Sequence, residues 1–265
     1  KTWSETGPSL RRALLLKAAD ALEAKTPAFI EAVSAETGAT GMWGGFNVFL
    51  AAGMIREAAA LTTQVAGEVI PSDVPGSLAM GIRQPAGVVL GIAPWNAPVI
   101  LAVRAICVPL ACGNTVILKG SENCPRTHQL IIEAFQDAGF PPGVVNYITN
   151  APADAGAVVE AMVAHPAVRR VNFTGSTKVG KIIAMTCAKY LKPVVLELGG
   201  KAPLVILDDA NLDDAVNAAA FGSFANSGQI CMSTERIIVD SKIADAFVKK
   251  FADKAKNLPL GDPRK

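Results

Sequence analysis

Histidine is scarce in this sequence, and no pair of cysteines stands at metal-ligand spacing. The two histidines, His128 and His165, are far apart, and the five cysteines form no C-x-x-C motif. This pattern predicts no metal site. Neither histidine has a nucleophile and a carboxylate arranged as in a catalytic triad, so both are interpreted as ordinary residues flanking helices. An odd number of cysteines does not indicate a disulfide framework and favours a reducing compartment, here the cytoplasm.

The sequence also lacks an excess of one charge and a long apolar segment free of proline. Lysine plus arginine number 25 and aspartate plus glutamate 23, so the net charge of +2 gives no reason to expect a nucleic-acid partner. A long charge-free stretch between Arg83 and Arg104 contains Pro85, Pro94 and Pro98 and cannot form one membrane helix. The first residues do not show the pattern of a secretory signal. We therefore expect neither nucleic acid nor a membrane as a partner.

The composition is that of a globular protein with a substantial core. Of the 265 residues, 51% are hydrophobic and 18% are charged, which excludes a disordered tail or a coiled coil. At about 150 residues per domain, this length predicts one large domain or two small ones. Because the sequence begins at Lys1 without an initiator methionine, we expect it to be part of a longer protein.

The first part of the chain predicts helices followed by a hairpin. Apolar residues recur at helical spacing over roughly the first 65 residues, and Pro27 is expected to end the first helix. The neighbourhood of Trp43, Phe46, Phe49 and Leu50, at the start of a helix predicted over 46–64, is interpreted as a packing face. Turn residues between short apolar runs predict a hairpin over Gly67–Arg83.

From Gly87 onward, strands alternate with helices. The predicted strands cover residues 87–93, 115–118, 144–148, 168–173, 194–198, 204–207 and 236–239. The predicted helices cover residues 98–112, 126–138, 152–164, 178–190, 213–224 and 243–256. The strands are nearly continuous apolar runs, which is typical of a parallel sheet covered on both faces. The alternation predicts a doubly wound α/β fold with its ligand site at the carboxyl edge of the sheet.

Two polar segments follow predicted strands and are candidates for binding a phosphorylated ligand, although neither G-x-G-x-x-G nor a P-loop is present. Gly175 and Ser176 begin a helix, where backbone N–H groups bind anions; an ordinary helix cap explains the same residues. Lys119 and Glu122 are placed to bind ribose hydroxyls, and a carboxylate there disfavours a 2′-phosphate and so favours NAD over NADP. A solvated loop with two charges is the alternative.

Three further residues are candidates for chemistry at the same edge. Asn96 follows a strand and offers a side-chain donor for an oxyanion, or simply forms a turn. Glu197 ends an apolar strand, where partial burial would raise its pKa and make it a general base. Cys231 lies in a loop and is the best nucleophile candidate, although a structural cysteine is equally consistent with the pattern.

The other cysteines are interpreted as structural. Cys107, Cys112 and Cys187 fall in apolar helix patterns and are expected to pack as small hydrophobes. Cys124 follows the polar segment Ser121–Asn123 and is expected to be exposed, without a partner.

Five motifs occur in an order and spacing that resemble the NAD(P)-dependent aldehyde dehydrogenase superfamily. They are Pro94-Trp95-Asn96, Lys119-Gly120-Ser121-Glu122, Phe173-Thr174-Gly175-Ser176, Glu197-Leu198-Gly199-Gly200-Lys201 and Gly228-Gln229-Ile230-Cys231. The resemblance covers essentially the whole chain. It implies a Rossmann-like NAD-binding domain over residues 1–66 and 86–199, an oligomerisation arm over 67–85, and an incomplete α/β catalytic domain over 200–265. It also implies a homodimer or homotetramer for the complete chain.

The resemblance further implies roles for individual residues. Cys231 corresponds to the nucleophile, Glu197 to the general base, and Asn96, with the backbone N–H of Cys231, to the oxyanion hole. The implied cofactor is NAD, and the implied cofactor-binding residues are Trp95, Lys119, Ser121, Glu122, Thr174, Gly175, Ser176, Leu198 and Gly199.

The segments Lys119–Glu122, Phe221–Phe224 and Cys231–Arg236 resemble the bacterial aromatic-aldehyde branch, which includes salicylaldehyde, vanillin and benzaldehyde dehydrogenases. The implied reaction is the NAD-dependent oxidation of an aromatic aldehyde to the carboxylic acid, through a cysteine thiohemiacetal and thioester. The alternatives are a CoA-acylating aldehyde dehydrogenase, a cofactor-binding fragment without catalysis, and an unrelated thiol esterase, which would need a histidine base.

The sequence departs from the family in two respects. Gly120 stands where many members have proline, and we expect it to make the loop more flexible. Family chains are nearly twice as long, and the Glu-x-Phe-Gly-Pro motif is missing. We therefore expect the 265-residue chain alone to be inactive.

Overall fold

The computed structural model describes residues 2–264 and divides into two compact units. The first unit ends at Glu197 and the second begins at Leu198. Each unit has its own hydrophobic core, and each is described by itself below.

The first unit begins with three helices. After a 3₁₀ turn at Trp3–Glu5 come α1 (Pro8–Ala24), α2 (Thr26–Thr37) and α3 (Gly41–Leu61). Pro27 does not end a helix as predicted. It lies in the first turn of α2, where the missing N–H costs nothing, and the break falls at Lys25. The third helix begins earlier than predicted, because the Thr40 side chain caps it by accepting a hydrogen bond from the Trp43 N–H.

The packing face of α3 follows the prediction in part. Its buried residues are small or branched and include Val48, Ala51 and Ile55, whereas Phe46 and Phe49 are 45% and 71% exposed. Of the predicted packing face, Trp43 and Leu50 do pack against a buried cluster. The prediction was wrong for Phe49, because aromatic character alone does not show which side of an almost uniformly apolar helix faces the core.

The predicted hairpin is present. Strands β1 (Glu68–Ile70) and β2 (Ala79–Gly81) pair antiparallel, with Val69 opposite Met80. All three residues of β1 are exposed, so within the first unit this hairpin does not contribute to the core.

A five-stranded sheet forms the centre of the first unit. Its strands are β3 (Val88–Ile92), β4 (Thr115–Lys119), β5 (Val145–Ile148), β6 (Val168–Gly175) and β7 (Val194–Leu198). Its helices are α4 (Pro98–Ala111), α5 (Pro125–Asp137), α6 (Ala155–Ala164), which follows a 3₁₀ turn at Pro152–Asp154, and α7 (Thr177–Lys189). The strand order is β5-β4-β3-β6-β7, and β3 pairs in parallel with both β4 and β6. The predicted α/β fold with a parallel sheet is confirmed.

The order of the strands determines where a ligand can bind. The chain runs outward from β3 to β4 and β5 and then returns to place β6 on the other side of β3. Loops leaving β3 and β6 therefore diverge and open a crevice at the carboxyl edge of the sheet. Most predicted boundaries along this part of the chain are shifted by a few residues, as is usual for helix and strand ends.

The second unit is a smaller α/β layer. Strands β8 (Ala202–Ile206) and β9 (Thr234–Val239) pair in parallel, with helices α8 (Leu212–Phe224) and α9 (Ala244–Lys256). Its core contains Ile206, Val216, Ala219 and Phe247. None of the helices within residues 2–264 combines the length and apolarity that crossing a lipid bilayer requires.

Asn114 links the entry of β3 to the end of α4. Its side-chain oxygen accepts hydrogen bonds from the N–H groups of Ala86 and Gly87, at 2.7 and 3.1 Å, and its amide donates to the Pro109 carbonyl at 3.1 Å. The Asn114 side chain is buried, so these contacts satisfy an amide group that water reaches poorly.

We expect Asn114→Ala to lower the free energy of unfolding by about 1–3 kcal/mol, because the N–H groups of Ala86 and Gly87 lose the acceptor that the Asn114 side chain provides. Urea unfolding of the full-length protein measures this change. Asn257→Ala is the control, since the Asn257 side chain is exposed and donates only within its own helix end. Equal stability of both variants would contradict the structural role of Asn114.

Candidate active site

The parallel register gathers the predicted polar segments at one edge of the sheet. Ile92, near the end of β3, lies opposite Lys119 on β4 and opposite Phe173 on β6. The segments that follow these strands therefore meet, and a cavity of about 550 Å³ opens between them. All the predicted cofactor residues of the first unit line this cavity: Trp95, Lys119, Ser121, Glu122, Thr174, Gly175 and Ser176.

One wall of the cavity was not predicted. It is apolar and comes from α6 and α7, with Val159, Val179, Ile182 and Ile183 among the lining residues. The side chains of Val179 and Ile182 are more exposed than is usual for valine and isoleucine. The apolar spacing of Val179, Ile182 and Ile183 along one helix is the signal that could have identified this wall.

Lys119 and Glu122 form a buried ion pair and not a solvated loop. Lys119 is 5% exposed, and its ammonium group is bound to the Glu122 carboxylate. Asn150 donates a second hydrogen bond to that carboxylate at 2.9 Å. Burial acts to raise the pKa of Glu122, but hydrogen bonds from Lys119, its own backbone and Asn150 outweigh burial and lower it. Glu122 is therefore ionised at neutral pH.

Gly120 lies in a closely packed part of this loop, and the greater flexibility expected of it stays a prediction. It is buried, and its N–H donates to the Ile148 carbonyl at 3.1 Å. A Cβ atom at this position would lie 2.7 Å from the Tyr147 ring and 2.9 Å from Nδ1 of His128. The close approach of these two rings requires glycine and holds the loop in place.

His128 is a fully buried residue of α5 and does not flank a helix as predicted. Its Nδ1 accepts from the Ser121 N–H at 3.1 Å, and its Nε2 donates to the Pro98 carbonyl at 3.2 Å. Since an N–H only donates and a carbonyl only accepts, the ring is neutral with its proton on Nε2. Burial, the largest effect, lowers the pKa of His128 to about 4.

Cys124 is buried beside His128, so its predicted exposure and lack of a partner were wrong. Its sulfur lies 3.7 Å from Nε2 of His128, and burial raises the pKa of the thiol to about 12. The polar neighbours misled the prediction because Ser121 is itself buried and hydrogen-bonded. Cys107 and Cys187 are buried as predicted, and Cys112 is partly buried.

Asn96 lies between β3 and α4 and is partly buried. Its backbone carbonyl accepts a hydrogen bond from the indole N–H of Trp43 at 2.9 Å. The Trp43 ring also stacks on Phe46, with ring centroids 5.6 Å apart. An aromatic pair from α3 thus stands next to the segment that carries Asn96, a contact that the sequence did not predict.

The segment after β6 forms the opposite side of the cavity. Ser176 caps α7, with its hydroxyl accepting from the Val179 N–H at 3.3 Å. A Cβ atom on Gly175 would lie 2.5 Å from the Phe173 ring, so the close turn requires glycine. Thr174 accepts a hydrogen bond from Arg104 at 3.1 Å.

Glu197 lies on β7 at the edge of the sheet, and its side chain is 53% exposed. The burial on which the general-base interpretation of Glu197 depends is slight in the described chain, because β7 is an edge strand with no strand on its outer side. The Arg104 guanidinium lies 3.9 Å from the Glu197 carboxylate. Arg104, which thus contacts both Thr174 and Glu197, was missed; a single charge in the apolar helix α4 was the available signal.

The remaining predicted residues belong to the second unit. Leu198 is the last residue of β7 and Gly199 follows it, and Cys231 is exposed in a turn before β9. The turn is preceded by Asn226 and Ser227, with φ values of 48° and 58°. Consecutive non-glycine residues in the left-handed region are uncommon and concentrate at functional sites.

The cavity can accommodate a ligand that carries a diol and phosphate groups. The ionised Glu122 accepts hydrogen bonds from hydroxyls, and Lys119 donates to them. The first turn of α7 favours an anion through its N–H groups and the helix dipole. The apolar wall from α6 and α7 suits a planar ring.

Burial of neutral His128 predicts a specific pH dependence of stability. An unfolded histidine takes up a proton at pH about 6.5, whereas His128 in the folded chain does so only at about 4. The contribution of neutral His128 to the free energy of unfolding is therefore fully present above pH 6.5 and is lost as the pH falls towards 4. We expect the free energy of unfolding to fall by about 1.4 kcal/mol for each pH unit in this window.

Urea unfolding at pH 7.5 and 5.5 tests this dependence. His128→Asn should remove it, and His165→Asn should leave it unchanged, because His165 is exposed. An undiminished pH dependence in His128→Asn would show that another group is responsible.

Comparison with known proteins finds relatives along the whole chain. A vanillin dehydrogenase of Pseudomonas fluorescens is 65% identical over 261 residues, which are 98% of this chain and 54% of that protein. A salicylaldehyde dehydrogenase of Pseudomonas putida is 56% identical over 263 residues, which are 99% of this chain and 54% of that protein.

A solved structure has the same fold. The crystal structure of a salicylaldehyde dehydrogenase from Pseudomonas putida G7, complexed with salicylaldehyde, matches with a TM-score of 0.96 at 54% identity. The match covers 98% of this chain and 54% of that chain, so this chain spans about half the length of the relatives it matches. The profile of the aldehyde dehydrogenase family matches residues 1–265. The chain therefore belongs to the aldehyde dehydrogenase family, as the resemblance of its motifs implied.

Proposed function

We propose that this chain is part of an NAD-dependent enzyme that oxidises an aromatic aldehyde to the carboxylic acid. The observation that carries the proposal is the cavity at the carboxyl edge of the sheet, with its ionised Lys119–Glu122 pair and the first turn of α7. The vanillin and salicylaldehyde dehydrogenases among the relatives support an aromatic aldehyde as the small-molecule substrate. The activity belongs to the complete protein, since the chain spans about half of those relatives.

NAD is the proposed cofactor. Lys119 and Glu122 bind the hydroxyls of the adenosine ribose, and the negative charge of Glu122 disfavours the 2′-phosphate of NADP. Gly175 and Ser176 bind the pyrophosphate at the start of α7. The proposed cofactor site is completed by Trp95, Ser121, Thr174, Leu198 and Gly199. When bound, NAD supplies the acceptor for the hydride that leaves the aldehyde carbon.

The chemistry uses three side chains in sequence. The Cys231 thiolate attacks the carbonyl carbon and forms a thiohemiacetal. The amide of Asn96 and the backbone N–H of Cys231 stabilise the oxyanion, at about 3 kcal/mol per donor. Loss of hydride leaves a thioester on Cys231. Glu197 then takes a proton from water, which attacks the thioester and releases the acid and the thiol.

The domain roles follow from the same proposal. Residues 1–66 and 86–199 form the NAD-binding domain, 67–85 the oligomerisation arm, and 200–265 the beginning of the catalytic domain. The exposed apolar side chains of the hairpin, including Val69, Met80 and Ile82, support its use in a homodimer or homotetramer. The cytoplasm suits a nucleophilic cysteine, because a reducing compartment keeps an exposed thiol free.

Cys231→Ala in the full-length protein tests the proposal. We expect NADH formation from benzaldehyde, vanillin and salicylaldehyde to fall at least about a thousandfold, because the nucleophile is lost. Cys112→Ala is the control, since Cys112 is a partly buried thiol on α4's C-cap. Retained NADH formation in Cys231→Ala would refute the assigned nucleophile.

The same assay without CoA separates hydrolysis from acyl transfer. Glu197 favours hydrolysis, because a carboxylate that activates water is not needed when CoA takes the acyl group. We expect steady turnover without CoA. An absolute requirement for CoA would instead establish the CoA-acylating alternative.

A further inference from the structure

His128 connects two loops that leave neighbouring strands. Through Nδ1 it accepts from the Ser121 N–H in the loop after β4, and through Nε2 it donates to the Pro98 carbonyl after β3. Ser121 lies between Lys119 and Glu122, and Pro98 lies two residues after Asn96. One imidazole therefore joins the ribose end of the cavity to the segment that carries Asn96.

The helix that carries His128 is itself held firmly. Glu36, on α2, accepts hydrogen bonds from the N–H groups of Arg126 and Thr127 at 2.7 and 2.9 Å, and from the Thr127 hydroxyl at 2.6 Å. These contacts cap the first turn of α5 from another helix. Tyr147 donates to the Pro125 carbonyl at 2.8 Å and closes the same turn. His128 thus connects the loop to a helix whose first turn is fixed by hydrogen bonds.

The loop depends on this support because it has few other anchors. Its backbone is held by the Gly120 N–H on the Ile148 carbonyl and by the Ser121 N–H on His128. The other backbone contacts run from Asn123 and Cys124 to Ser121, within the loop, and from the His128 N–H to the Cys124 carbonyl at the start of α5. Without an acceptor for its N–H, Ser121 loses its hydrogen bond to the His128 side chain, and the backbone path between Lys119 and Glu122 is less constrained.

We propose that His128 is a positioning residue for cofactor binding: by accepting the Ser121 N–H, it holds the Lys119–Glu122 loop in the shape that binds the adenosine ribose. The inference rests on the proposed function, because it assumes that this loop binds the ribose. His128 does not line the cavity, so it acts through the loop and not by contact with the cofactor.

Two substitutions separate the two ring nitrogens. The side-chain oxygen of asparagine can take the place of Nδ1, so His128→Asn keeps an acceptor for the Ser121 N–H. The side-chain amide nitrogen of glutamine can take the place of Nε2, so His128→Gln keeps the donor to Pro98 but loses the acceptor. His165→Gln is the matched control, since Nδ1 of His165 also accepts a backbone N–H, from Ala167, away from the cavity.

Calorimetric titration of the full-length variants with AMP and with NAD tests the inference. We expect His128→Gln to bind both about tenfold more weakly and to have a raised KM for NAD, with an unchanged KM for the aldehyde. We expect His128→Asn to stay within about twofold of wild type. We expect His165→Gln to match wild type.

Equal weakening by Asn and Gln would overturn the inference, because it would indicate only the loss of ring packing. Unchanged binding in His128→Gln would overturn it as well. If His128→Gln does not fold, His128→Ala takes its place as the variant without an acceptor: weaker binding by Ala than by Asn supports the inference, and equal binding by both overturns it. If wild type itself binds neither AMP nor NAD, the proposed function fails and the inference with it.

Discussion

The parallel pairing of β3 with β4 on one side and with β6 on the other is the constraint on which the candidate site depends. Because the pairing aligns Ile92 with Lys119 and with Phe173, three loops far apart in sequence must end at one edge. A shift of one residue in either pair would turn Lys119 or Phe173 to the other face of the sheet. The cavity therefore depends first on the register of the strands and only then on individual side chains.

Polar groups placed behind this edge are stabilised because each has a partner. Burying Lys119 alone would be costly, but its ammonium group binds Glu122. Neutral His128 satisfies one donor and one acceptor of the backbone, and Arg104 contacts Thr174 and Glu197. These paired polar groups restrict the loops at the carboxyl edge of the sheet to one arrangement. This is the arrangement that the proposed cofactor requires.

The sequence predicted the fold and the cavity well because both depend on local patterns. Apolar runs of strand length define the sheet, and polar residues after those runs identify the loops at its edge. It did not predict the contacts between distant segments. Trp43 meets Asn96 across 53 positions, and the burial of Cys124 and His128 follows from packing beneath the loop. The close packing around Gly120 could not be predicted either, because Tyr147 and His128 reach it only in the folded chain.

The central claim is that one edge of the sheet binds NAD through the Lys119–Glu122 loop and the first turn of α7. A crystal structure of the full-length protein with NAD tests it most directly. The account predicts the adenosine ribose on Lys119 and Glu122 and the pyrophosphate beside Gly175 and Ser176. NAD bound elsewhere, or with its ribose away from Glu122, would contradict the account.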